Sequence, residues 1–237
     1  VQLGVMVLFV LIVYFALIST KKAEQNKVWV GLSKETAHQL GTPISSLMAW
    51  MDLLESSGVD PSLLSDMNKD VNRLSVIAER FSKIGSKPEM ELIYVNEVLE
   101  NATEYMRRRV SDKVLITTHL PSDAEGAMVC LSLFEWVIEN LCKNAVDAMN
   151  GEGRIDVYMT SEKQQIYIDI KDTGKGIARK NFKTVFNPGY TTKKRGWGLG
   201  LTLAKRIIED YHAGRIYVKD SEVGKGTTFR IELKRVV

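Results

Sequence analysis

The chain has 237 residues, 45% of them hydrophobic and 26% charged, with a formal net charge of +3. That balance suits one or two globular domains with true cores, and the charge is too mild to argue for a nucleic-acid partner. Cys130 and Cys142 show neither metal nor disulfide spacing and read as core thiols of a reducing compartment.

The sequence begins at Val1 rather than Met, which reads as a fragment of a longer chain. Val1 to Ile18 is apolar apart from Gln2 and carries no charge. About eighteen such residues are just enough to cross a bilayer. Lys21, Lys22 and Lys27 follow, so the positive-inside tendency places the rest in the cytoplasm. Residues 1–19 are therefore predicted to be a transmembrane helix in an inner or cell membrane. The basic residues lie on the wrong side for a signal peptide.

A long helix is predicted over Thr20–Ser56. At about 100° per residue, Leu40, Ile44, Leu47, Met51 and Leu54 share one stripe, a core-facing seam. His38 lies far round the helix from Leu40 and is predicted to face outward. Glu35 precedes it by one turn and Thr42 follows by one turn. Pro43 removes a backbone hydrogen bond just past the histidine, where a bend is expected. Ser57–Pro61 reads as a turn with Asp60 as N-cap and Pro61 as first helical residue. A second helix runs to about Ile84, with Leu63, Leu64, Met67, Val71, Leu74, Ile77, Ala78, Phe81 and Ile84 on one broad face. Two helices alone cannot bury two such faces, so a homodimeric four-helix bundle is expected from residues 20–86.

Beyond the Gly85–Pro88 linker, strands and helices alternate over residues 89–237. Strands are predicted at Leu92–Val95, Val114–His119, Arg154–Thr160, Gln165–Lys171, Arg215–Lys219 and Thr227–Glu232, with helices at Asn96–Val110, Leu131–Met149 and Leu199–Tyr211. That order implies an α/β sandwich, a mixed sheet with helices on one face. The whole chain is thus predicted to be α+β, an all-α hairpin followed by the sandwich.

Four motifs in this second region belong together. Asn140, Asn144 and Asp147 share a helix face with Lys143 beside them. Amide oxygens, a carboxylate and a cation suit a metal–triphosphate, because magnesium takes oxygen ligands and keeps several waters. Asp172-Thr173-Gly174-Lys175-Gly176 follows a strand. A carboxylate on a glycine-rich turn can accept from an exocyclic amine while the glycines let a flat ring approach. Thr191-Thr192-Lys193-Lys194-Arg195-Gly196-Trp197-Gly198-Leu199-Gly200 places three basic residues and three glycines before a new helix, as expected for a phosphate-holding loop able to close as a lid. Gly224-Lys225-Gly226-Thr227 precedes the last strand, and Thr227 is placed to join the Asp172 hydrogen-bond network.

In this order and spacing the four motifs resemble the ATP-binding domain shared by sensor histidine kinases, DNA gyrase, mismatch-repair ATPases and heat-shock chaperones. His38-Gln39-Leu40-Gly41-Thr42-Pro43 resembles the phosphoacceptor box of sensor histidine kinases. The two resemblances together cover the chain from about Lys21 to its C-terminus. They imply ATP and Mg2+ as cofactors, His38 as the phosphorylated residue, and the receiver domain of a separate response regulator as partner. They further imply that Asn144 holds magnesium with Asn140 nearby, and that Lys143 and the Lys193 region contact phosphates. Asp172 would accept from adenine, Gly174 and Gly176 would make room for it, and Gly198 and Gly200 would permit closure over the triphosphate. Thr42 would help place the water that dephosphorylates the regulator.

Two positions qualify the resemblance. Family members that hydrolyse ATP outright carry a glutamate where this sequence has Asn140. An amide cannot take a proton, so transfer to water should be slow. The usual acid beside the phosphoacceptor is Gln39 here, which leaves Glu35 to orient the imidazole or the step to proceed with little base help. The competing readings are an ATPase of the gyrase or chaperone type and a catalytically weak pseudokinase scaffold. His119 and His212 are read as structural.

Overall fold

The computed structural model describes residues 2–86, 88–193 and 198–236, without side chains at several positions among the first 32. The chain divides into two compact units, Val1–Pro88 and Glu89–Val237.

The first unit is a helical hairpin. Helix α1 runs unbroken over Gln2–Ser56, with Pro43 inside it. It therefore starts far earlier than the predicted Thr20, because nothing between the apolar stretch and the hairpin breaks helical geometry. Among the described residues no helix is long and apolar enough to cross a membrane. Residues 1–3, 5, 8, 18 and 19 of the predicted span are among those whose side chains lie outside the description.

Gly58 turns the chain with φ +77°, a left-handed conformation that a residue lacking Cβ adopts without strain. Helix α2 then spans Pro61–Gly85. The Asp60 carboxylate accepts from the Ser62 N–H at 2.8 Å, satisfying an otherwise orphaned donor, and Pro61 opens the helix. Ile44, Met51, Val71 and Ala78 form the hairpin core, with Leu40 packed against it. The predicted seam is thus only partly interior. Leu47 stays exposed, as do Leu63, Met67, Leu74 and Ile77 on α2. One partner helix covers a narrower arc than the apolar stripe each helix carries.

The second unit is a two-layer α/β structure. Strand β1 (Glu91–Tyr94) leads into α3 (Val95–Arg107), then β2 (Val114–His119) and β3 (Gly126–Val129). Helix α4 (Leu131–Ala148) is followed by the hairpin of β4 (Gly153–Glu162) and β5 (Gln165–Asp172). Helix α5 (Gly200–Arg206) continues as a π-helical turn over Ile207–Tyr211, before β6 (Arg215–Glu222) and β7 (Gly226–Lys234). The main sheet has the order β2-β4-β5-β7-β6, parallel between β2 and β4 and antiparallel elsewhere.

Strand β3 escapes sequence reading because Gly126–Val129 opens on a glycine and carries no polar alternation. It pairs antiparallel with β1, apart from the main sheet. Ile155, Val157 and Met159 of β4, Ile166, Ile168 and Ile170 of β5, and Phe229, Ile231 and Leu233 of β7 are all buried. Their period of two turns one sheet face toward the helices. Opposite them, α4 buries Leu133, Phe134, Val137, Ile138, Leu141, Cys142 and Ala145 at helical spacing. Cys130 and Cys142 are free and buried, and burial pushes the Cys142 thiol up to about 12. Cys142 is no nucleophile in this setting.

Two histidines fill structural places. His212 is buried, accepts from the Cys130 N–H through Nε2 at 3.0 Å, and has Nδ1 2.7 Å from the Ile207 carbonyl oxygen. These contacts require the proton on Nδ1 and a neutral ring, and burial lowers its pKa accordingly. The ring thereby ties the π-helical turn after α5 to the start of α4. His119 stacks on Tyr158 at 4.4 Å, with Nε2 3.4 Å from Asp156.

Candidate nucleotide and phosphoacceptor sites

The helix α4 that packs on the sheet through its apolar face presents Asn140, Lys143, Asn144 and Asp147 along another edge. These residues line a cavity of about 400 Å³. The same cavity is lined by Asp172, Gly176, Thr191, Thr192, Lys193, Gly198, Leu199, Gly200 and Thr227. Thus the structure gathers four sequence motifs, spread over nearly ninety positions, around one space. Gly174 does not line it, and Gly196 lies outside the described residues.

Asp172 owes its burial to strand parity. It is the last residue of β5 and shares the inward face of Ile166, Ile168 and Ile170. Only 3% of it is exposed. Its Oδ1 accepts from the Gly174 N–H at 2.8 Å and the Thr227 N–H at 3.3 Å. No protein hydrogen bond to Oδ2 is found among the described residues. Burial pushes the carboxyl above the usual aspartate range, against the smaller opposing pull of these two donors. Thr227 is held in turn by Ser221, whose Oγ lies 2.9 Å from its Oγ1 and also accepts from the Ile177 N–H at 2.7 Å.

The glycines serve the protein before any ligand. A Cβ at Gly174 would lie 2.7 Å from the Ala148 carbonyl carbon, so Gly174 lets the turn dock on the end of α4 rather than making room for a ring. A Cβ at Gly176 would lie 2.1 Å from the Glu222 carbonyl oxygen, where the chain also has φ +71°. Gly200 is different, because the obstacle is a site residue. Its Cβ would come within 2.5 Å of Asn140 Oδ1. We therefore expect Gly200→Ala to drive the Asn140 amide off its position. Nucleotide affinity should fall by about tenfold, the scale of one lost polar contact, with little change in thermal stability. Equal binding isotherms for the variant and wild type would contradict this.

Polar atoms on the α4 wall of the cavity lack partners in a way that points to a ligand. The side-chain nitrogens of both Asn140 and Asn144 are buried without a hydrogen bond, a state that costs about 1–3 kcal/mol per group unless something supplies an acceptor. Asn144 Oδ1 and the Asp147 carboxylate face the Lys193 ammonium, which donates to Asn144 at 3.1 Å and forms an ion pair with Asp147. A cation already sits among these oxygens, so the donor set fits a magnesium ion that completes its shell with phosphate and water. Among the described residues no group of three or more His, Cys, Asp or Glu side chains could hold a metal unaided.

Sequence reading missed several of the walls. Lys175, Ile177, Ala178, Asn181, Val185, Tyr190, Leu201 and Phe229 also line the cavity. Lys175 sits inside a motif already recognised and could have been found there. Val185 and Phe229 look like ordinary core residues in sequence, and only the packing of the Thr184–Phe186 turn and β7 brings them to the cavity edge.

His38 belongs to the other unit. Its side chain is exposed on α1, as its angular offset from Leu40 predicts. The carboxylate of Glu35 accepts from the Gln39 amide at 2.7 Å, so Glu35 orients Gln39 and is not bonded to the imidazole. Thr42 Oγ1 lies 3.5 Å from the His38 carbonyl oxygen, a weak return to its own backbone.

Residues 131–237 match the family described as histidine kinase-, DNA gyrase B-, and HSP90-like ATPase. The chain is 26% identical over 220 residues to sporulation kinase A of Bacillus subtilis (strain 168), covering 90% of this chain and 36% of that protein. It is also 26% identical over 226 residues to the sensor histidine kinase ZraS of Salmonella typhimurium, covering 92% of this chain and 48% of that protein. The chain thus spans about half the length or less of these curated relatives. Among solved structures, the histidine kinase ThkA in complex with the response regulator protein TrrA aligns with a TM-score of 0.59 at 19% identity, over 92% of this chain and 65% of that one. At that identity the likeness is one of fold.

Proposed function

We propose that this chain, whose residues 131–237 form an ATPase domain of the histidine kinase, gyrase B and HSP90 type, is the core of a sensor histidine kinase that phosphorylates His38 from ATP and passes the phosphoryl group to an aspartate of a response regulator. The observation that carries the reading is the pairing of a built nucleotide cavity with an exposed imidazole. The cavity is lined by a buried carboxylate, Asp172, and by the unsatisfied amides of Asn140 and Asn144. Elsewhere in the chain stands a histidine with no structural task.

In this reading Asp172 accepts from the adenine amine through its second oxygen, and Thr227 holds that carboxylate in place. Ile177, Val185 and Phe229 supply apolar walls for the base. Asn140, Asn144 and Lys143 lie toward the phosphates. Magnesium, when bound, neutralises charge on the phosphate oxygens. A ring nitrogen of His38 forms the new N–P bond as the bond between the γ-phosphorus and the bridging oxygen breaks. ADP leaves and the ring gives its other proton to solvent. Asn140 disfavours the competing attack by water, since an amide cannot serve as base.

Gln39 is not a base either; fixed by Glu35, it is assigned here to orient the imidazole. Autophosphorylation in Gln39→Glu should change by severalfold without being abolished, because phosphoryl transfer rests mainly on positioning and charge stabilisation. A rate in Gln39→Ala identical to wild type would remove any orienting role.

Two assembly features belong to the same proposal. Leu47, Trp50, Leu53, Leu63, Met67 and Ile77 are exposed on the hairpin, which supports a homodimer that covers them. Met6, Phe9, Val10, Ile12, Phe15 and Leu17 are each more than half exposed at the start of α1, which supports a membrane anchor ahead of the hairpin. Incubation with γ-labelled ATP and magnesium tests the central step. Wild type should acquire an acid-labile, alkali-stable label, and no label in wild type would overturn the reading.

A further inference from the structure

The segment Thr191–Lys193 is held to the nucleotide domain through its side chains. Lys175 donates to Thr192 Oγ1 at 2.9 Å, while within the segment Thr191 Oγ1 accepts from the Lys193 N–H at 3.1 Å. The Lys193 ammonium reaches across to α4, donating to Asn144 Oδ1 at 3.1 Å and pairing with the Asp147 carboxylate. Asn144 and Asp147 are one turn apart, so a single cation can meet both.

We propose that Lys193 is a built-in counter-ion, holding the metal position of the nucleotide-free site and leaving it when magnesium enters with a nucleotide. This rests on the ATP-binding reading above and adds to it a competition inside the protein. The Asn144 oxygen is the hinge of the argument. Magnesium binds oxygen at about 2.0–2.1 Å and demands near-octahedral geometry. An ammonium sharing that oxygen would lie a few ångströms from a divalent cation, with strong repulsion and no room for the remaining ligands. Metal and ammonium therefore exclude each other at Asn144. Both Lys193 and Asp147 keep 40% of their side-chain surface in water, so the lysine can leave without exposing a buried charge. Once displaced, its flexible stem keeps the ammonium beside the phosphates. The site thus trades one cation for another, and the segment carrying Lys193 changes partner as it does so.

The exchange moves two separate readouts. In Lys193→Met the competitor is gone, so the magnesium concentration that half-saturates binding of a fixed amount of ADP should fall about threefold, the scale of an exposed ion pair. The preference of the same variant for Mg–ATP over Mg–ADP should also fall about threefold, because the freed ammonium no longer meets the third phosphate. Lys193→Arg should restore the wild-type order of both. A second, nucleotide-free measurement is independent of the metal. In Asp147→Asn, backbone hydrogen exchange over residues 191–193 should speed up, since the main anchor of the segment is lost. Both measurements use the full chain, and the binding arm takes magnesium alone as the titrant and fluorescent nucleotide binding as the signal. An unchanged or raised half-saturating magnesium concentration in Lys193→Met, or unchanged exchange in Asp147→Asn, would overturn the counter-ion role while leaving nucleotide binding intact. A wild type that binds no magnesium nucleotide would overturn both this inference and the reading beneath it.

Discussion

A His38→Gln protein is expected to bind ATP normally and carry no phosphoryl label above background. The two halves of that result come from different parts of the chain. Every residue lining the cavity lies between Asn140 and Phe229, so removing an exposed imidazole from α1 should leave nucleotide affinity within about twofold, the usual additivity of sites without shared partners. The loss of label should be complete because glutamine has no nucleophilic nitrogen. Nor does any neighbour replace the ring. Glu35 and Gln39 are bonded to each other, and the Thr42 hydroxyl lies against its own helix backbone. The chemistry of the label gives a second check. A phosphoramidate is lost in acid and kept in alkali, whereas phosphoserine and phosphothreonine behave in the opposite sense. Label surviving acid, or label undiminished in His38→Gln, would place the acceptor elsewhere. Steady ATP hydrolysis by His38→Gln at the wild-type rate would instead favour the gyrase-like ATPase reading.

The second large effect is expected from Asp172→Asn, which should weaken nucleotide binding by about a hundredfold or more without weakening the fold. Asparagine preserves shape and can still accept the Gly174 and Thr227 N–H groups through its oxygen. Its NH2 then points where the carboxylate offered an acceptor, so a donor meets the adenine amine. Mismatched polar groups in a buried site carry penalties of this size. Stability should move the other way. Burial raises the Asp172 pKa in the folded state, so the folded chain holds this proton more tightly than the unfolded chain. The corresponding stabilisation is fully present below the ordinary carboxylate pKa and is lost as pH rises through the raised value. At neutral pH the wild type has lost it, and asparagine, which does not ionise, has nothing to lose. Thermal unfolding of Asp172→Asn at pH 7 should therefore occur at the same temperature as wild type or higher. The advantage should shrink as pH is lowered through the window between the two pKa values. A variant that loses both nucleotide and melting temperature would show that Asp172 holds the fold rather than the ligand.

These two residues differ in how far sequence alone could reach them. His38 is exposed because it sits far round an amphipathic helix from Leu40, and helical periodicity is a local property that survives any tertiary arrangement. Asp172 was placed in the site by its motif, but its burial follows from strand parity after Ile166, Ile168 and Ile170, and its poise from Thr227, more than fifty residues away. Gly174 shows the limit of motif reading. Glycine was expected there for the ligand, and it serves the packing of the turn on Ala148.

What the sequence by itself determined is whatever repeats at short range. The hairpin and its turn at Gly58 to Pro61, the helix that carries Asn140 to Asp147 and most of the strands all belong there. Only the tertiary structure decided that the first helix is continuous from Gln2, that β3 exists as a partner of β1, and that Leu47 and much of one α2 face remain uncovered. The same holds for Val185 and Phe229 at the cavity wall and for the Lys193 ammonium among the oxygens of Asn144 and Asp147. Each of these depends on which distant surface arrives at a given residue. A local pattern fixes the direction in which a side chain points, but not what it meets there.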